Sequence, residues 1–83
     1  MLPAYSQEAT ALKPGIYQHY SGKQYEVIGI ARHSESLEEL VIYKALYPPY
    51  GYWVRPLKMF IETVEKEGQV MPRFSFLQNR SYK

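Results

Sequence analysis

An 83-residue chain with a formal net charge of +2 makes one small domain and demands neither a nucleic-acid nor a membrane partner. It has no cysteine, so disulfide frameworks and thiolate chemistry are excluded. No apolar run approaches the ~20 residues of a membrane helix, and the first residues lack the basic start and apolar core of a signal peptide, so a cytoplasmic protein is the simplest reading. A domain of this size buries only about 60–65% of its unfolded surface, so its core is thin. The unusual quantity is tyrosine, with nine in the chain beside three phenylalanines and one tryptophan. Tyrosine packs like a core residue and offers a hydroxyl at its tip. The rings therefore either extend a thin core or line a groove for a ligand.

Residues 1–12 show no clean period and read as a flexible arm, with at most one helical turn around Ser6-Gln7-Glu8-Ala9. Pro14-Gly15 is a turn signal and starts the ordered body. Residues 16–20 form a strand with Tyr17 and His19 on one face. Ser21-Gly22 is a tight hairpin turn, with glycine supplying a positive φ. Residues 25–34 return as the long central strand, apolar on both faces. Strict alternation puts Tyr25, Val27, Gly29 and Ala31 on one face and Glu26, Ile28, Ile30 and Arg32 on the other. Gly29, mid-strand and without a side chain, marks a bulge, a bend or a close backbone contact.

Residues 34–39 are a polar loop. Ser36-Leu37-Glu38-Glu39 has capping-box spacing for one helical turn, a pattern frequent by chance. Residues 40–47 form a third strand, ended by Pro48-Pro49-Tyr50-Gly51. Residues 52–55 form a short fourth strand. Pro56 suits a helix start, with Leu57, Phe60 and Ile61 at helical spacing to plug one end of the sheet. Lys66-Glu67-Gly68-Gln69 reads as a hairpin turn between two further short strands. Residues 78–83 read as a tail. Five or six short strands with one helical turn predict a mainly β fold, a small SH3-like barrel or roll spanning 13–77.

Lys13-Pro14-Gly15-Ile16-Tyr17, Ala31-Arg32-His33-Ser34-Glu35 and Trp53-Val54-Arg55-Pro56-Leu57-Lys58-Met59-Phe60 together resemble the bacterial family known as domain of unknown function 1653. The resemblance runs from about Lys13 to Phe74. It implies an SH3-like barrel or roll in a small protein with no established activity.

Three constellations carry chemistry. Arg32-His33-Ser34-Glu35 puts a fork donor, a group titrating near neutrality, a hydroxyl and a carboxylate at one strand end. Against this stands the plain reading of a strand entering a loop. His19 lies on the Tyr17 face of the first strand. Two histidines without cysteine do not make a zinc site, and Ser34 beside His33 lacks an orienting third group, so neither a metal nor a catalytic residue is assigned. Trp53 and Arg55 share one face of the fourth strand and, with Tyr17, Tyr43 and Tyr47, form a groove with a cation at one end.

The ligand-binding residues expected are Tyr17, His19, Arg32, His33, Ser34, Glu35, Tyr43, Trp53 and Arg55. The function expected is a non-enzymatic binding module, without cofactor, for single-stranded nucleic acid (RNA first) or, second, an extended peptide. The alternatives are a small enzyme using His33 or His19 with Glu35, and a protein–protein interaction domain, as a monomer or a weak homodimer.

Overall fold

The structure, a computed structural model, describes residues 4–79. Within them run α1 (Gln7–Ala11), β1 (Gly15–His19), β2 (Gln24–Arg32), β3 (Glu39–Ala45), β4 (Tyr52–Pro56), α2 (Leu57–Phe60), β5 (Thr63–Lys66), β6 (Gln69–Pro72) and β7 (Phe74–Gln78). Five strands form one antiparallel sheet in the order β4-β3-β2-β1-β7, and β5-β6 is a separate ribbon. The mainly β reading holds, with seven strands among the described residues where five or six were expected and two short helices where one was.

The turns follow from local chemistry. Gly22 takes φ +104° in the β1–β2 hairpin. Glu67 and Gly68 take φ +52° and +81° in the β5–β6 hairpin, and a glycine tolerates that left-handed backbone without steric cost. Proline at 48 and 49, joined by a cis peptide bond, ends the β3 region.

The bulge expected near Gly29 is present. The β2–β3 register shifts between Val27 and Gly29, with Val27 opposite Tyr43 and Gly29 opposite Ile42. A β-carbon at Gly29 would meet nothing within 4 Å, so the glycine marks the bulge and not a close backbone contact. The extra residue reverses the alternation. Tyr25 and Val27 share the inner face with Ile30 and Arg32, because Ile30 lies opposite the buried Val41 and Arg32 opposite Glu39. The strict alternation read from the sequence is thereby corrected.

The inner face is aromatic. Tyr17, Tyr43, Phe60 and Phe74 are buried with Ala9, Val27, Val41 and Leu57. Phe60, carried by α2, stacks on Phe74 at 4.1 Å, and Tyr17 and Tyr43 meet Phe60 edge-on at 5.6 and 5.4 Å. Each such pair adds about 0.5–1.5 kcal/mol beyond area burial. Helix α2 thus plugs the sheet as expected, though Ile61 stays exposed.

The sheet curls without closing. In a flat sheet β3 and β7 would stand about 14 Å apart. Here the rings of Tyr43 and Phe74 meet at 5.6 Å. Ladder hydrogen bonding nevertheless ends at β4 on one side and β7 on the other, so no barrel closes among the described residues.

Two local expectations are corrected. Residues 36–39 form no helix; Leu37 is left-handed at φ +65° and the Ser36 hydroxyl accepts the Glu38 N–H, a serine turn. Residues 74–78, read as body end and tail, form β7 against β1. The helical turn read around Ser6-Gln7-Glu8-Ala9 is present as α1, which places Ala9 in the core. Its N-cap Ser6 accepts the Ala9 N–H, while its own N–H and hydroxyl both donate to the Glu39 carboxylate at 2.7 Å. Glu39, 33 residues away, thereby supplies the acid that a local capping box would carry three residues after the cap. The rest of the expected arm and tail, residues 1–3 and 80–83, lies outside the described residues.

Candidate functional site

The expected site residues divide between the two ends of β2. His19 lies toward its first end, its backbone N–H donating to the Lys23 carbonyl. His33 follows its last residue. Nine extended residues span about 30 Å, so the two histidines are set apart along the strand. The convergence that the enzyme alternative requires of His19, His33 and Glu35 is not found.

At the far end the Arg32-His33-Ser34-Glu35 stretch closes its own loop. The His33 Nδ1 accepts the N–H groups of Glu35 and Ser36 at 3.1 and 3.3 Å. Its backbone N–H donates to the Glu38 carbonyl, and its carbonyl accepts from Leu37. Ser34 and Glu35 are exposed. Arg32 lies over the ring of Tyr5 at 4.5 Å, opposite Glu39. The Ser6 bonds, ahead of Arg32, hold the Glu39 carboxyl below its ordinary value.

The other end gathers aromatic rings around a cation. Tyr43 lies between Val27 on β2 and Trp53 on β4, and Val41 lies opposite Arg55, so Trp53 and Arg55 belong to the inner face. The rings of Tyr17 and Tyr43 are both buried, so neither is a platform for a ligand. Tyr17 donates its hydroxyl to the Lys13 carbonyl at 2.7 Å. Tyr43 turns its hydroxyl to the Arg55 Nε at 3.3 Å, where it accepts. Trp53, on an edge strand, is 55% exposed.

Arg55 is half-buried, its guanidinium 5.8 Å from the Phe74 ring centroid. Beside it Tyr25 and Tyr47 join hydroxyl to hydroxyl at 2.7 Å, with Lys23 over the Tyr47 ring at 4.6 Å. Burial first, then the bond to Tyr47, pushes the Tyr25 pKa up to about 12, against the pull of Arg55. The Tyr25 hydroxyl thus enters the site as a neutral donor and acceptor. His19 packs edge-on against Phe74 at 4.9 Å, and its Nδ1 meets Ser21. Burial first, then the charges of Arg55 and Arg73, holds its pKa below the ordinary value. His19 also lines an open cleft of about 270 Å³ with Gln18, Tyr20, Met71, Pro72 and Ser75.

Tyr25, Phe74 and Lys23 were not singled out from the sequence. Tyr25 had a usable signal, since it shares a strand face with Val27 one pleat away. Phe74 had none, because its strand pairs with β1 across a sequence separation of more than fifty residues. Among the described residues no group of three or more histidines, cysteines or acids gathers as a metal set, and no helix is long and apolar enough to cross a membrane.

Comparison with known proteins places this end of the sheet inside a family. A family model described as a protein of unknown function (DUF1653) matches residues 15–76, a span that holds His19, Tyr25, Tyr43, Tyr47, Trp53, Arg55 and Phe74 and leaves α1 outside. The crystal structure of a DUF1653 protein from Bordetella bronchiseptica is similar at 32% identity with a TM-score of 0.80, covering 90% of this chain and 99% of that one. No curated protein matches. With the matched span covering nearly all of the sheet and the related structure aligning over most of both chains, the chain belongs to the DUF1653 family of proteins of unknown function.

Proposed function

We propose that this domain is a non-enzymatic binding module for single-stranded nucleic acid, RNA first, and that its site is the inner face at β4. The observation that carries the reading is the pairing of Trp53 and Arg55. Trp53 offers an exposed ring, and Arg55, two residues along the same face, offers a guanidinium without a carboxylate partner among the described residues. A base stacks on the ring while the adjacent phosphate meets the cation, which is how sequence-tolerant single-strand binders divide the work. Lys23 adds charge on the same side, and Lys44 with Tyr52 adds a second cation–ring pair on the opposite face of the β3–β4 ladder.

An extended peptide is the second reading. It rests on a separate observation: β4 is an edge strand on which Tyr52, Trp53 and Val54 are all more than half exposed. Such an edge is a template for a further strand. Salt separates the two, because phosphate contacts weaken steeply as salt rises and ladder bonds do not.

The test is an NMR titration of labelled protein with a mixed pool of short single-stranded RNA at low and then moderate salt. Salt-sensitive shifts at Trp53, Arg55 and Tyr47 are expected. Shifts confined to the β4 backbone on adding a peptide, with none on adding RNA, reverse the order.

A further inference from the structure

Resting on the nucleic-acid reading, we infer that the Arg55 pocket receives a terminal phosphate monoester of the strand, not an internal phosphodiester. The Arg55 Nε is bound to the Tyr43 hydroxyl, while its two terminal nitrogens have no acceptor among the described residues. Tyr43 accepts that bond and keeps its own hydroxyl hydrogen to give. Tyr25 and Tyr47 share one hydrogen between their oxygens, which leaves the second hydrogen for another acceptor. Lys23 caps Tyr47 from 4.6 Å, and the Arg55 charge is felt at both His19 and Tyr25. The Phe74 ring lies 5.8 Å from the guanidinium on one side, and partial burial there strengthens a charge-assisted bond made on the other.

Among the described residues no carboxylate answers this cluster. The chain has no aspartate, and its glutamates are placed elsewhere. Glu26 lies on the opposite face of β2, across from Lys44. Glu8, Glu35, Glu38 and Glu39 belong to α1 or to the far end of β2, Glu62 pairs with Arg73, and Glu65 and Glu67 sit on the β5–β6 ribbon. An internal phosphodiester has one charge and two terminal oxygens, too few for this set. A phosphate monoester has close to two charges and three acceptor oxygens. Trp53, two residues from Arg55 on the same face and so about 7 Å away, stands where the end nucleotide's base would stack.

The experiment measures affinity by fluorescence anisotropy for one short RNA sequence in three forms: 5′-monophosphate, 3′-monophosphate, and hydroxyl at both ends. Inorganic phosphate serves as competitor. One phosphorylated form is expected to bind about tenfold tighter than the hydroxyl form. Arg55→Lys and Tyr47→Phe are expected to erase that difference, with folding of each variant checked by its amide spectrum. Equal affinity for all three forms overturns the terminal-phosphate inference and leaves the nucleic-acid reading standing. Absence of binding to any form at low salt overturns both. Inorganic phosphate competing as well as the phosphorylated RNA overturns the nucleic-acid source.

Discussion

The guanidinium of Arg55 stands 5.8 Å from the ring of Phe74, although the two residues belong to strands at opposite edges of the five-stranded sheet. Laid flat, those edge strands would be about 19 Å apart. Curling brings them together around Phe60, and the cation closes over the aromatic core where no ladder bond does. Removing Arg55 and removing Trp53 should therefore have different effects. Arg55→Ala loses the Tyr43 bond and the contact with Phe74, at a cost of about 1 kcal/mol in chemical denaturation. Trp53→Ala, at an exposed edge position, should stay within about 0.5 kcal/mol of wild type. Both should lose RNA binding. A Trp53→Ala protein that melts much earlier would make that ring a core anchor and not a platform.

Two glycines on neighbouring strands should respond in opposite ways. Gly15 has φ +144°, and a β-carbon there would lie 2.6 Å from the Gln78 carbonyl oxygen and 3.0 Å from the Phe76 ring. Gly15→Ala should cost about 1–3 kcal/mol and loosen β7, seen as faster amide exchange in residues 74–78. Gly29 has open space around it and no left-handed φ, so Gly29→Ala should stay within about 0.5 kcal/mol. Similar losses at both sites would contradict the packing of β7 on β1.

The Tyr17 hydroxyl is a structural group. It donates to the Lys13 carbonyl, and burial raises its pKa against the opposing pull of that bond. Tyr17→Phe should cost about 1 kcal/mol without altering ligand affinity. A denaturation midpoint combined with an RNA titration checks both halves of the statement.

Acid should release α1 before the sheet unfolds. The Ser6 hydrogen bonds hold the folded Glu39 pKa below its ordinary 4.5. A carboxyl whose folded pKa is depressed contributes stability that is fully present above the unfolded value and lost as pH falls through the folded one. The Ser6 and Ala9 amides should thus become exchange-labile as pH drops below 4.5, and Glu39→Gln should flatten that dependence. Exchange at Ala9 independent of pH across this window would dissociate Glu39 from the cap.

His19 titrates in the opposite chemical sense with the same sign for stability. Burial, Arg55 and Arg73 lower its pKa below 6.5, so the folded state binds the proton more weakly than the unfolded chain. Stability should fall as pH drops through 6.5 and level off below the folded value. An anion seated on Arg55 offsets the charge that lowers this pKa, so the imidazole resonances should titrate at higher pH when phosphorylated RNA is bound. An unchanged midpoint would place the anion away from Arg55.

The strands and turns were legible wherever the cause is local. Gly22 and Gly68 announce hairpins, the β-branched and aromatic run before Pro48-Pro49 announces β3, and Pro56 followed by Leu57 and Phe60 announces the plugging turn, because each depends on backbone geometry or side-chain period within a few residues. The sharing of one face by Trp53 and Arg55 was legible for the same reason, since two residues apart on a strand is one pleat. What remained hidden depends on partners distant along the chain. The bulge before Gly29 shifts register against β3 and moves Ile30 and Arg32 to the inner face, which alternation alone assigns wrongly. Strand β7 exists through pairing with β1 and has no local signature of its own, and the anchoring of the α1 cap by Glu39, 33 residues away, has none either. Tyr17, Tyr43 and Trp53 are equally aromatic in the sequence. The order of strands buries the first two and leaves the third on an edge, because a ring's exposure is set by what packs over it and not by its own chemistry.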